Sequence, residues 1–419
     1  MGLGTTMGGQ DKMATGTSLM TQRCADPDSE WLVREGRRQT TMADLLAALC
    51  RHLVETGLPI ARVMLSQRTL HPLVAARGIF WRQGNAGCTE QIDRGYDVLQ
   101  ADVYRLSPLK VAYERGETVR RRLVGPDARL DFPVLTEVRD EGMTDYVVIP
   151  IQFTGRVGGV LTLATNRPDG FADAEIARLH ALMPVLGIVI EVLATRDLAR
   201  TVLDTYIGPV AGQRVLNGQI TRGDQETIDA VLWYCDLRGF TRMTERLSGE
   251  RLIEMLNQYF ERMAAPVRAH GGEIMKFIGD AMLAVFPMEH RDAEIASNAA
   301  LEAAREAVAA MEAHNIACIE CGEPSVDFGI ALHMGPVIFG NIGAPDRLDF
   351  TVIGPAVNRV VRIEEMCRKL QCGVLVSAEV ARHCRAPLAS IGRHDRRGVG
   401  TPVELFTLPG ATPARAAAE

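Results

Sequence analysis

Gly271-Gly-Glu-Ile-Met-Lys-Phe-Ile-Gly-Asp-Ala-Met-Leu-Ala-Val-Phe286 holds two apolar runs, Ile274–Ile278 and Ala281–Phe286, parted only by Gly279-Asp280. Two such runs around a two-residue, glycine-containing turn read as a β-hairpin. Asp280 then stands at the tip, and Lys276, four residues earlier, projects from the sheet close to the carboxylate. One group can hold a metal and the other can donate hydrogen bonds. An ordinary hairpin with a turn aspartate and a solvated lysine has the same pattern, because Gly-Asp turns are common.

The sequence on either side gives that hairpin a context. Upstream, Ala230-Val-Leu-Trp-Tyr-Cys-Asp236 reads as a buried strand ending in an acid, and Leu237-Arg-Gly-Phe-Thr241 turns into helical sequence. Ser248 opens a helix whose inner face is Leu252, Leu256, Tyr259, Met263 and Val267. Downstream come an alanine-rich helix over residues 292–313, a strand over 326–332, and a tight Met334-Gly335-Pro336 turn into 337–340. Phe350–Ile353 is a short strand, and Gly354-Pro355 opens a helix with proline at its favoured first-turn position. Strands near Val374 and over 403–408 close the domain, and residues 409–419 read as a loose tail.

Strands ending in Asp236 and turning at Asp280 can bring both carboxylates to one sheet edge. With the backbone carbonyl of Leu237 they form an oxygen-only donor set suited to Mg²⁺ or Mn²⁺ and to substrate phosphates. Two such ions about 3.5–4 Å apart activate an attacking hydroxyl and neutralise a leaving pyrophosphate. Asn358 and Arg362 are spaced i, i+4 on the helix after Pro355 and share a face. A guanidinium beside an amide there can meet a phosphoryl group as its charge redistributes.

Cys235-Asp-Leu-Arg-Gly-Phe240, Gly271–Asp280, Phe350-Thr-Val-Ile-Gly-Pro-Ala-Val-Asn358 and Arg362, in that order over residues 225–408, resemble the catalytic domain of the class III nucleotidyl cyclases. The resemblance implies a ferredoxin-like α/β domain in which Asp236 and Asp280 bind two Mg²⁺ or Mn²⁺ ions, helped by the Leu237 carbonyl. It implies that Lys276 and Thr351 read the purine, which favours ATP over GTP, since guanylate cyclases carry Glu and a small residue there. Asn358 and Arg362 would support the transition state. Arg397, where relatives often carry lysine, would touch the triphosphate, and Phe240 and Thr241 complete the implied substrate contacts. In this family the metal acids of one subunit face the purine and transition-state residues of the other, so the implied assembly is a homodimer with two complete sites. Pro355 and Arg359 depart from the family pattern and bear on the rate, not on the reaction type.

The first half reads as an α+β domain over residues 30–195, after a disordered lead-in over 1–29. It has a helix over 44–56, strands over 61–65, 78–81, 146–150 and 158–163, and a helix start at Phe171-Ala-Asp-Ala-Glu175. That order over residues 40–195 resembles the GAF family of small-molecule sensor domains, which implies a regulatory ligand. The Asn-Lys-Phe…Asp-Glu motif of the cyclic-nucleotide-binding members is absent. His52, His71, His180 and Cys88 are available to ligate a haem or chromophore, and each reads equally as a plain core or surface residue. Ile190, Ala194, Leu198, Val202 and Tyr206, with Leu193, mark a narrow helical stripe that suits a dimerising linker over 196–224. Gly208-Pro209 ends that helix, and residues 214–224 form a polar connection.

The 419 residues suffice for two or three domains, and 47% hydrophobic content, 23% charged content and a net charge of −6 describe a globular chain without the basic surface of a nucleic-acid binder. The most apolar window, Met183–Leu193, reads as too short for a bilayer, and no signal segment opens the chain. Nine cysteines without a regular framework fit a reducing compartment, so a cytoplasmic protein with neither membrane nor nucleic-acid partner is expected. Cys318 and Cys321 form a lone CxxC without a second pair, and the opening Met1-Gly2 fits only a loose myristoylation pattern. Gly271-Gly-Glu273 superficially matches the diguanylate cyclase signature, but it precedes the strand and lacks the following Glu-Phe. No P-loop is present. A degenerate nucleotide-binding module would be expected to lack one of Asp236, Asp280, Asn358 or Arg362, and all four are there.

Overall fold

The structure is a computed structural model in which residues 26–84, 89–288, 292–396 and 399–409 are described. The chain divides between Val202 and Leu203 into two units.

In the first unit, α1 (Pro27–Arg34) and α2 (Met42–Glu55) precede a six-stranded antiparallel sheet. Its strands are β1 (Arg62–Arg68), β2 (Ala76–Arg82), β3 (Thr89–Arg94), β4 (Val119–Arg122), β5 (Asp145–Phe153) and β6 (Arg156–Thr165), ordered β3-β2-β1-β6-β5-β4. Three short helices, α3 (Asp102–Arg105), α4 (Pro108–Arg115) and α5 (Pro133–Asp140), flank β4 in sequence, and α6 (Asp173–Ile207) follows β6. The two-residue period of a strand divides the side chains between the faces. Val63, Leu65, Ile149 and Leu161 pack with α2 and α6, whereas Tyr146, Val148 and Val160 pack with Ala112 of α4 and Leu135 and Val138 of α5.

The lead-in expected through residue 29 ends earlier. Asp26 accepts hydrogen bonds from the N–H groups of Asp28 and Ser29, and Pro27 supplies the preset first turn, so α1 starts there. Asp28 is buried beneath Arg178 of α6 (2.6 Å) and His52 of α2 (2.9 Å), and the His52 ring stacks on Trp31 at 4.5 Å. This network ties the three helices together and occupies His52. His71 is also occupied, its Nδ1 accepting from the N–H groups of Leu73 and Val74. His180 is exposed on α6, and Cys88 lies outside the described residues.

Helix α6 corrects two expectations. It runs unbroken through Pro184 and the position-196 boundary to Ile207, and by length and composition it is long and apolar enough to cross a membrane. Its Leu179, Leu182, Leu186, Ile190 and Leu193 are core residues of the first unit, so Ile190 and Leu193 cannot belong to a dimer stripe. The exposed apolar positions are Ile188, Val192, Val202 and Tyr206; with Thr195 and Ala199 they repeat at intervals of four and three. That is coiled-coil spacing in which Val202 and Tyr206 keep their expected exposure, while Ile188 and Val192 stand in place of the buried Ile190 and Leu193.

In the second unit, α7 (Pro209–Leu216) restarts the chain as helix after Gly208 and ends inside the polar connection expected over 214–224. Then come β7 (Gln225–Arg238), α8 (Phe240–Arg246), α9 (Gly249–Ala269), β8 (Glu273–Ile278), β9 (Ala281–Pro287), α10 (Ala293–Glu320) and β10 (Asp327–Ala344). Strand β11 (Arg347–Ile353) pairs with β10, and α11 (Pro355–Leu370), β12 (Val374–Ser377), α12 (Ala378–Ala381), β13 (Ala389–Arg396) and β14 (Val399–Thr407) complete the unit. The run β10-β7-β9-β8 within the sheet has the order of a β-α-β-β-α-β unit, with α9 and α10 packed on one face. On the opposite face α11 packs through Val360, Ile363 and Cys367. Because both faces are covered, β7 reads as a continuous apolar run.

The turn expected at Met334–Pro336 is absent. Strand β10 continues through it, with Gly335 opposite Ala230 and Pro336 opposite Asp229. Gly335 is there for close packing, since a Cβ would stand 3.0 Å from that of Ala356. Pro336, which lacks an N–H, falls between the stretch of β10 paired with β12 and the stretch paired with β11, where no ladder donor is needed.

Candidate active site

Strands β7 and β9 pair with Cys235 opposite Met282, which brings the end of β7 to the β8–β9 turn. Gly279 adopts φ 64° in that turn, a conformation open to glycine. The Asp236 carboxyl is close enough to that of Asp280 for the two to act on each other. Burial and the neighbouring Asp280 push the Asp236 carboxyl up to about 6, against the pull of the Leu237 N–H. Among the described residues, no cation figures in the groups acting on Asp236. Two carboxyl groups held together without a counter-ion fit a hard divalent cation, whose remaining ligands substrate oxygens and water can supply.

A third acid stands behind this pair. Glu364 is 6% exposed on the inner face of α11, and its Oε1 fills the space left by the missing side chain of Gly329, which is opposite Asp236 in the β7–β10 register. Burial and then Asp236 push its carboxyl up to about 7, with Arg238 opposing. Sequence reasoning passed over Glu364. The signal was a carboxylate on the apolar stripe Ala356, Val360, Ile363 and Cys367.

Lys276 reaches its position through a break in strand periodicity. Ile274 is opposite Ala284 and Lys276 is opposite Leu283, so Met275 is an extra, bulged residue. Residues directly opposite in an antiparallel pair point to the same face. Without the bulge Lys276 would share the α9 face with Ile274; with it, Lys276 joins Met275 and Leu283 on the α11 face. There its Nζ donates to the carboxylate of Asp349 on β11. Thr351 lies two residues along the same strand, on the same side by alternation, and is 9% exposed. Asp349 was also missed, although its spacing from Thr351 could have revealed it.

The side chains of Asn358 and Arg362 lie on the exposed face of α11 and make no hydrogen bond or ion pair among the described residues. Phe240 and Thr241 begin α8 directly after Gly239 (φ 76°); Phe240 packs against the core and Thr241 is exposed. Arg397 lies outside the described residues. One chain therefore sets Asp236 beside Asp280, with Glu364 buried behind Asp236, and Lys276 beside Asp349, and leaves Asn358 and Arg362 facing solvent; among the described residues no three acids or other potential ligands form a metal-binding group.

Residues 224–400 match the family model described as the adenylate and guanylate cyclase catalytic domain. The match falls within the second unit. An adenylate cyclase of Anabaena cylindrica is 31% identical over 188 residues, which is 45% of this chain and 37% of that protein. Adenylate cyclase 2 of Rhizobium meliloti is 29% identical over 244 residues, 55% of this chain and 64% of that one. The matched part thus spans less than two thirds of either relative. Among solved structures, the adenylyl cyclase CyaB from P. aeruginosa is 25% identical with a TM-score of 0.40, over 44% of this chain and 94% of that one. The matched residues include the Asp236–Asp280 pair and the lysine, asparagine and arginine side chains of β8 and α11.

Proposed function

We propose that the chain is an adenylate cyclase, converting ATP to 3′,5′-cyclic AMP and pyrophosphate at sites formed between two copies of itself. The observation that carries this reading is the pairing of Asp236 with Asp280, where burial first and the neighbouring carboxyl second push Asp236 up to about 6. The pair would hold two Mg²⁺ or Mn²⁺ ions, which supply charge neutralisation and an acidified ribose hydroxyl when bound. The 3′-oxygen attacks the α-phosphorus in line, forming the new P–O bond as the bond to the pyrophosphate oxygen breaks.

Lys276 donates to purine N1 and Thr351 accepts from the N6 amine, a pairing that suits adenine; Asp349 holds the lysine on the correct face. Arg362 meets charge developing on the α-phosphoryl group and Asn358 holds the sugar. Because Asn358 and Arg362 are exposed and make no side-chain hydrogen bond or ion pair among the described residues, they are available to a second copy. The helical seam Ile188, Val192, Val202 and Tyr206 supports a homodimer in which each site takes its acids from one subunit and these donors from the other. The first unit acts as a GAF-like sensor regulating the second, in the cytoplasm.

Purified chain is to be incubated with ATP and, separately, with GTP in Mn²⁺ buffer, and the products identified by mass. Cyclic AMP is expected in preference to cyclic GMP. Cyclic GMP as the main product would overturn the purine assignment, and no cyclic product from either nucleotide would overturn the reaction.

A further inference from the structure

The first unit holds a cavity of about 270 Å³ on the sheet face away from α2 and α6. It approaches the lower bound of about 300 Å³ usual for ligand pockets. Strand β1 builds one wall. While Val63 and Leu65 enter the core, the alternate residues Met64, Ser66 and Arg68 face the cavity. Ala76 and Gly78 of β2 leave the floor open, and α3 and α4 bring Tyr104 and Tyr113 to the opposite side.

The cavity carries polar groups at both depths. Ser66 and Thr162 are buried at 7% and 4% exposure, and the Tyr113 hydroxyl donates to the Ser66 carbonyl at 2.8 Å. The Arg68 guanidinium carbon stands over the Tyr113 ring, 4.7 Å from its centroid, and 5.8 Å from that of Tyr104, and Arg68 donates to the Tyr104 hydroxyl. Four arginines line the space. Arg62 is paired with Glu141 and Arg77 with Asp93, but Arg68 and Arg94 have no carboxylate partner among the described residues. Glu137 is the one lining acid. A guanidinium fixed between two rings, with donors still free and no counter-ion, is prepared for a planar or tetrahedral anion. The remaining lining, including Phe80, Ile92, Leu99 and Val134, is apolar.

We propose that this cavity binds a small organic anion, its carboxylate or phosphate held by Arg68 and its apolar body lying against Phe80 and Val134. The inference rests on this cavity alone and stands whether or not the second unit makes cyclic AMP. An apolar body without charge would gain nothing from the Arg68 guanidinium, and a bare inorganic anion would leave the apolar wall unfilled.

The test is isothermal titration of the full chain with benzoate, phenyl phosphate, benzamide and inorganic phosphate. At least one of the two aryl anions is expected to bind saturably at one site per chain. Benzamide and inorganic phosphate are expected to bind at least about tenfold more weakly. Tighter benzoate identifies a carboxylate ligand, and tighter phenyl phosphate a phosphorylated one. Arg68 is exposed, so Arg68→Gln should keep the fold by circular dichroism while reducing aryl-anion affinity to the benzamide level. Equal affinity for benzoate and benzamide, no saturable binding of either aryl anion, or undiminished binding by Arg68→Gln would each overturn the proposal. The benzoate–benzamide comparison uses unmodified protein and decides the matter even if the variant misfolds.

Discussion

Replacing Asp280 by Asn removes one of two carboxylates that repel each other in the metal-free protein. Asp236 is raised from 3.8 to about 6, which at 1.36 kcal/mol per unit corresponds to about 3 kcal/mol. Burial is the largest cause and Asp280 the second, and Asp236 is only half-buried, so solvent screening and this division leave about 1 kcal/mol for the repulsion. Without metal at pH 8, Asp280→Asn should therefore melt higher by about 2–4 °C, the shift expected for 1 kcal/mol in a unit of this size. The pH dependence has a definite sign. A carboxyl raised in the folded state binds more protons there than in the unfolded chain, so its cost is full above about 6 and fades as pH falls toward 3.8. The advantage of the variant should shrink over that same window. In Mn²⁺ the order should reverse, because the parent gains stability by binding the ion and the variant has lost a ligand. Differential scanning calorimetry at several pH values, with EDTA or with Mn²⁺, measures both effects. An Asp280→Asn protein that melts lower than the parent in EDTA, or retains the full Mn²⁺ stabilisation, would refute the assignment of these acids to a metal site.

Three further outcomes follow from other parts of the structure. Deleting Met275 removes the bulge and returns Lys276 to the α9 face; preference for ATP over GTP should fall at least as far as in Lys276→Glu, and an unchanged ratio of cyclic products from the deletion variant would separate the bulge from purine choice. Glu364→Gln removes a buried carboxylate whose cost is present above about 7 and absent below 4.5; the variant should gain up to about 3 kcal/mol at pH 8 and little at pH 4.5, as urea titrations at the two pH values would show. Asp28→Asn strips the buried partner from Arg178 and His52 and should cost about 3 kcal/mol. Burial opposes the charged form of Asp28, but the hydrogen bonds from Arg178 and His52 outweigh it and lower the carboxyl, so that stabilisation is present above 3.8 and lost as pH falls below it. Thermal melts across acidic pH would detect a parent curve that converges on the variant's.

The sequence by itself determined the elements whose signals are local. The Gly279-Asp280 turn between two apolar runs, the Ser248 cap and the first-turn Pro355 each act within a few residues, and the hairpin, α9 and α11 form where those signals stand. The order of motifs also pointed to a cyclase domain, because the chemistry of two acids, a lysine and an Asn–Arg pair is written in residue type and spacing. Tertiary structure decided what depends on the neighbour across the sheet. Counting back by twos from Asp280 cannot reveal that Met275 bulges and turns Lys276 to Asp349, since a bulge is a property of a strand pair. Met334-Gly335-Pro336 has the composition of a turn, yet it lies straight because α11 needs Gly335 small and the adjoining edge needs no donor at Pro336. The helical stripe was displaced for the same reason: Ile190 and Leu193 are as apolar as Ile188 and Val192, and only packing against the first unit's sheet separates core from exposed seam. Residue chemistry fixes what a side chain can do, and the partner it packs against fixes which face it does it from.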